Sequence, residues 1–156
     1  MHRLPKRRVQ DDARSILRAK GRTFALAARL LPADTADDAT LLYAFCREID
    51  DIADNPKAGT SARTDLIELR HQISSRSGET PLVREFLEMA NRRNLSTVSA
   101  EKLIDGAISD LSDPVMIQNE QQLIHYCYLV AGTVGEMMCP ILGGKSELLP
   151  LAADLG

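Results

Sequence analysis

Apolar residues along the chain recur at three- and four-residue spacing, and no stretch alternates with the two-residue period of a strand. Leu17, Phe24, Leu26, Ala27, Leu30 and Leu31 give an apolar side to a first helix over about 11–31, which Pro32 stops. Asp34 and Thr35 are expected to cap a second helix, whose inner face carries Leu41, Leu42, Phe45, Ile49 and Ile52 and which Asn55-Pro56 ends. A third helix fits 61–74, with Leu66, Ile67, Leu69 and Ile73 inward. Thr80 and Pro81 open a fourth as cap and first helical residue, running to about Arg93. A fifth opens at Ser99 and lasts to about Leu111, before Asp113-Pro114. A long sixth covers about 120–142, with a break expected near Pro140 and an end at Gly143-Gly144. Ser146 is expected to cap a seventh over 147–156. The pattern predicts an all-α fold with short connections, without repeats, linkers or low-complexity segments.

The 156 residues suit one domain with one core, and 44% hydrophobic with 26% charged residues reads as soluble and globular. A net charge of −3 leaves no basic footprint, which argues against nucleic acid as a partner. Trp is absent and aromatics reach only 4%, so a large cavity must be lined by aliphatic and small side chains. Cys46, Cys127 and Cys139 have no metal-site spacing and lie in apolar stretches, which predicts buried free thiols in a reducing, cytoplasmic compartment. The basic start, Met1 to Arg8, lacks an apolar segment behind it, so residues 1–13 read as a disordered arm rather than a secretory signal. Such an arm is open to weak, peripheral contact with anionic lipid at the inner face of the membrane.

The candidate chemistry sits at the end of the second helix. Asp50 and Asp54 are four residues apart, so their carboxylates share one face, with Asp51 about 100° around the helix. Carboxylates here oppose the helix dipole and repel one another, each at a cost of about 0.3–1 kcal/mol, which Arg47 offsets in part by pairing with Asp51. A solvated acidic helix end is one reading. The other is a magnesium site, since magnesium takes one or two carboxylates together with phosphate oxygens. Phe45, Cys46, Ile49 and Ile52 make this a core helix whose acidic face can line a cleft, and Arg47 suits bidentate contact with phosphate.

Two further segments bear on the choice. Lys20-Gly21-Arg22-Thr23-Phe24 offers cations and a hydroxyl to a diphosphate, or forms an exposed basic face. In the segment from His125 to Met138, Gly132 and Gly135 thin one side of a helix, each costing about 1 kcal/mol relative to Ala. That permits a close helix contact, a kink, or a ligand against the backbone. A membrane span is disfavoured by His125, Glu136 and Pro140. Glu136 reads as a surface residue, His125 as a structural histidine, and Asp105 and Asp110 carry little weight, because five residues separate them.

Taken in order, four stretches resemble the squalene/phytoene synthase family of head-to-head trans-prenyltransferases. They are Lys20 to Phe24; Leu42 to Arg47 with Asp50 to Asp54; Leu103 to Gly106 with Asp110-Leu111; and Tyr126 to Gly135. The resemblance runs from about residue 14 to the end. It implies an all-α isoprenoid-synthase-type helical bundle around a deep apolar cavity. It also implies magnesium-dependent joining of two prenyl diphosphates, farnesyl or geranylgeranyl, into a squalene- or phytoene-type product. By this resemblance Asp50 and Asp54 hold magnesium with Asp51 in support, and Arg47, Arg22 and Thr23 contact diphosphate. Phe24, Tyr43, Tyr126, Val130 and Gly135, with Gly132 beside them, line the prenyl site.

Family members carry a second aspartate-rich motif on a later helix. Leu151 to Gly156 resembles the start of that helix, and the sequence stops there. The bundle is therefore expected to be incomplete on its C-terminal side, with apolar faces that favour self-association or a complementing chain. Three functions stay open on the sequence: a prenyltransferase, an inactive remnant or partner-binding module, and another diphosphate-using enzyme.

Overall fold

In the computed structural model, residues 6–55, 61–111 and 117–156 are described; all their regular structure is helical. Pro56 and Asp113-Pro114, expected as helix stops, lie outside the described residues, as do the first five residues of the basic start.

The expected first helix is two. Helix α1 spans Lys6–Lys20 and α2 spans Arg22–Ala28. Gly21 separates them because the Tyr43 ring fills the space a side chain would need: a Cβ at Gly21 would lie 2.8 Å from Tyr43 Cζ. Of the expected arm over 1–13, residues 6–13 are helical. Val9 and Ala13 are buried, and that apolar side gives residues 6–13 a reason to be helical.

Helix α3, Ala33–Ala53, runs through the centre and packs against α1, as well as α4 (Ser61–Ser74), α5 (Pro81–Arg92), α6 (Thr97–Asp110) and α8 (Thr133–Ile141). Leu41, Leu42, Phe45 and Ile49 form its buried side, and Phe45 stacks on Phe86 of α5 with ring centroids 3.9 Å apart. Asp34 and Thr35 do not cap α3. Pro32 holds that position in extended backbone, and Asp34 sits in the first turn, where its charge still suits the dipole. Thr80 caps α5 as expected, accepting from the Val83 N–H at 3.3 Å. Helix α6 starts earlier than expected, because the Ser96 hydroxyl, not Ser99, takes the capping role. Ile67, expected inward, is 51% exposed, since Ala62, Leu66, Leu69, Gln72 and Ile73 form the buried side of α4.

The long sixth helix breaks in a different place. Helix α7 covers Glu120–Cys127, a π-helical turn covers Tyr128–Gly132, and α8 continues through Pro140 to Ile141. The widened turn carries the Tyr128 hydroxyl to Glu136 Oε1 at 3.0 Å, and Thr133 bonds back to the Leu129 carbonyl at 2.8 Å. Pro140 does not break the helix; it lacks the N–H that would bond the carbonyl four residues back, and α8 ends one residue later at Ile141. Gly143, at φ +82°, ends the helix as the sequence predicts, and its left-handed turn lets the Gly144 N–H bond the Cys139 carbonyl at 2.8 Å. Ser146 opens a short 3-10 turn without capping it, and α9 follows over Leu149–Leu155. Cys139 alone of the three thiols is buried; Cys46 is half-buried and Cys127 is exposed, because α7 has no buried side.

Candidate active site

The last turns of α3 place Asp50 and Asp54 on one side of a hollow of about 190 Å³. Asp110, Tyr126 and Val130 line it from α6 and the α7–π segment. The Tyr126 hydroxyl donates to Asp110 Oδ2 at 3.1 Å. Asp110, given little weight from its spacing to Asp105, thus faces the acidic pair. Asp105 turns away and pairs with Arg70 at 2.7 Å. The signal that could have raised Asp110 was its place in one of the four resembling stretches, not helix geometry.

Asp51 is the paired member of the acidic run. Lys20 Nζ reaches both its oxygens, at 2.9 and 2.8 Å, and Arg47 Nη2 donates to Oδ1. The Lys20 hydrogen bonds lead in holding its carboxyl below the usual range. Arg47 also donates to Asp50 Oδ2 at 3.2 Å, and its own Nε is buried without an acceptor. Burial pushes the Asp50 carboxyl above its ordinary value, with repulsion from Asp54 and Asp51 adding to it against the opposing pull of Arg47. The site therefore holds a carboxylate that would gain from a cation, beside a guanidinium with a free donor.

Among the described residues no three His, Cys, Asp or Glu side chains converge tightly enough to enclose a metal ion unaided. The donor set nevertheless fits magnesium of the kind that binds few carboxylates and completes its shell with phosphate oxygens and water.

Val130 is shared by the acidic hollow and by a groove of about 790 Å³. That groove is lined by Phe24, Val134, Gly135, Met138, Leu151 and other aliphatic or small residues, as the shortage of aromatics predicts. Tyr43 packs behind Phe24, with centroids 5.7 Å apart. The glycine-thinned face serves mainly as a helix contact. A Cβ at Gly135 would fall 1.9 Å from the Ala152 carbonyl oxygen, and one at Gly132 would fall 3.0 Å from that of Ala153. Gly132 is buried there, while Gly135 also reaches the groove.

Arg22 and Thr23 are not brought to the acidic hollow. They line a separate hollow with Arg18, Ala25, Leu26 and Arg29. Glu136, read as a surface residue, is half-buried and accepts from Ser99 at 2.6 Å as well as from Tyr128, whose hydroxyl also accepts from Lys102 at 2.7 Å. His125, read as structural, is exposed on α7. Among the described residues no helix is long and apolar enough to cross a membrane.

The described residues thus form an all-α bundle in which an acidic, arginine-flanked hollow lies beside an apolar groove. The chain belongs to the squalene/phytoene synthase family, whose profile matches residues 17–156. It is 33% identical over 144 residues to a phytoene synthase of Thermus thermophilus, covering 90% of this chain and 48% of that protein. It is 32% identical over 136 residues to a presqualene diphosphate synthase of Zymomonas mobilis, covering 85% and 47%. A solved dehydrosqualene synthase structure superposes with a TM-score of 0.80 at 25% identity, covering 97% of this chain and 53% of that one. The fold is thus an isoprenoid-synthase-type helical bundle, and the chain spans about half the length of the curated relatives it matches.

Proposed function

We propose that this chain forms one wall of the active site of a head-to-head prenyltransferase, which joins two prenyl diphosphates of the farnesyl or geranylgeranyl class. The observation that carries the reading is the junction at Val130 between the acidic hollow and the apolar groove. It provides for a charged head and a hydrocarbon tail side by side. The named relatives, a phytoene synthase and a presqualene diphosphate synthase, support the reaction class.

In this reading Asp50 and Asp54 hold magnesium, with Asp110 facing them. Magnesium, when bound, neutralises the diphosphate and eases its departure. Arg47, part-exposed beside Asp50 and Asp51, offers its guanidinium to the diphosphate. Asp51, tied to Lys20 and Arg47, keeps both cations at the rim of the site. The aliphatic groove excludes water from the allylic cation left behind, and the Phe24 ring offers it a π-face.

The test is consumption of farnesyl and geranylgeranyl diphosphate with and without magnesium, in the wild type and in Asp50→Ala and Asp54→Ala. Magnesium-dependent turnover lost in both variants is expected. Turnover indifferent to both substitutions removes the acidic hollow from the mechanism. A second reading, an inactive module that binds a partner, draws on the exposure of Leu142, Leu151 and Leu155 around the groove. No turnover, together with a stable complex through that face, would favour it.

A further inference from the structure

We propose that Ser99, Lys102, Tyr128 and Glu136 form a clamp that holds the π-helical turn and so sets the angle between the acidic hollow and the apolar groove. The turn, Tyr128–Gly132, lies at their junction. Before it and within it, Tyr126 and Val130 line the hollow; within it and after it, Val130, Val134 and Met138 line the groove. Helix geometry shows what the turn does. In an unbroken α-helix, residues eight apart lie about 80° from each other around the axis. A π-helical turn takes up one extra residue, which leaves them about 20° apart. That rotation puts Tyr128 and Glu136 on one face, where the Tyr128 hydroxyl donates to Glu136 at 3.0 Å. It also turns Val134 and Met138 toward the groove; a straight helix would leave them about 100° away from that direction relative to Tyr126.

π-helical turns are rare, so side-chain contacts must favour this one over a straight helix. Helix α6 supplies them. Ser99, Lys102, Gly106 and Asp110 recur at three- and four-residue spacing and share one side of it. Ser99, buried, donates to Glu136 Oε2 at 2.6 Å, and Lys102 donates to the Tyr128 hydroxyl at 2.7 Å. Both Glu136 oxygens are therefore taken, and the Tyr128 hydroxyl both accepts and donates. At Gly106 the turn comes closest: a Cβ there would lie 3.1 Å from Leu129 Cβ and 3.3 Å from Val130 Cγ1. Asp110 takes the Tyr126 hydroxyl at 3.1 Å. These contacts step along the segment on both sides of the turn, so they fit one register only. None of the four clamp residues lines the hollow or the groove. They are positioning residues, which act through Val130 and its neighbours. A ligand that spans hollow and groove would feel the angle, whereas one that fills either alone would not. That consequence rests on the prenyltransferase reading; the clamp does not.

The test titrates the full chain calorimetrically, in magnesium, with three probes: inorganic diphosphate for the hollow, farnesol for the groove, and farnesyl diphosphate for both. Tyr128→Phe should weaken farnesyl diphosphate about tenfold, the worth of a hydrogen bond to a charged group, and change the other two less than about twofold. Glu136→Ala should match it, and the double variant should lose no more than either alone, because both break one clamp. Glu136→Gln, which keeps a partner for each hydroxyl, should retain most of the affinity. Methyl spectra of the unliganded proteins read the clamp without any probe. The Val130 and Val134 methyls should shift in Tyr128→Phe and Glu136→Ala and stay in place in Glu136→Gln, with circular dichroism confirming that each variant remains helical. Unmoved methyls in the first two variants would overturn the clamp. Equal weakening of all three probes, or additive losses in the double variant, would overturn its control of the angle. A wild type that binds none of the probes counts against the prenyltransferase reading instead, and the methyl spectra still decide the clamp.

Discussion

Helix α3 carries aspartates at both ends, and the two ends are built in opposite ways. Asp38, near the start, is 3% exposed and bound by Arg92 and by Arg93, the latter at 2.6 Å. Asp50 and Asp54, near the finish, are exposed, lie where the helix dipole disfavours them, and share a single guanidinium donor to Asp50. One end neutralises its carboxylate completely and locks α3 to α5. The other leaves charge unsatisfied beside an apolar groove. Pairing, rather than residue type, separates the structural aspartate from the ones proposed to bind magnesium.

The strongest way to break this comparison is at Asp38. Asp38→Ala removes the acceptor of two arginines, one of them more than half exposed, and should cost about 3 kcal/mol, read as a lower urea midpoint. Next comes Gly135→Val, whose side chain meets the Ala152 carbonyl. It should cost about 1–3 kcal/mol and free α9 from α8, seen as faster amide exchange in α9. Asp51→Asn removes exposed pairs with Lys20 and Arg47 and should change stability by less than about 1 kcal/mol.

The acidic run also divides by pH. Asp51 has a folded-state pKa below its unfolded one, so its contribution is present above the unfolded value and fades as pH falls through the folded value. Asp50 is raised, so ionising it weakens the fold as pH climbs from the unfolded value through the folded one. Asp50→Asn should therefore leave stability at neutral pH unchanged or slightly higher, while Asp51→Asn lowers it slightly. Unfolding midpoints between pH 3 and pH 7 (roughly the range that brackets ordinary carboxylates) would check both signs.

Much of this was legible in the sequence because helical period is a local signal. The Leu41, Leu42, Phe45 and Ile49 face, the Thr80-Pro81 start and the Gly143 stop all follow from short-range chemistry. The acidic pair was legible too, since four-residue spacing alone puts Asp50 and Asp54 on one side. What could not be read were features set by partners distant in sequence. Gly21 splits the first helix because Tyr43 presses on it, and the π-helical turn at Tyr128 accompanies contacts to Lys102 and Glu136. Asp110 lines the hollow because α6 packs against α3 and the π-helical turn, which spacing along one helix cannot show. Arg22 and Thr23 line a different hollow, on α2 beyond the break at Gly21.

The central claim is that the unsatisfied end of α3 binds a magnesium–diphosphate head. It is tested most directly by thermal unfolding with farnesyl diphosphate, with and without magnesium, in the wild type and in Asp50→Asn with Asp54→Asn. The wild type should gain stability only when both are present, by about 2.7 kcal/mol at a hundredfold excess over Kd. The double variant should start as stable as the wild type and gain nothing. An equal gain in both proteins, or no gain in the wild type, would contradict the account.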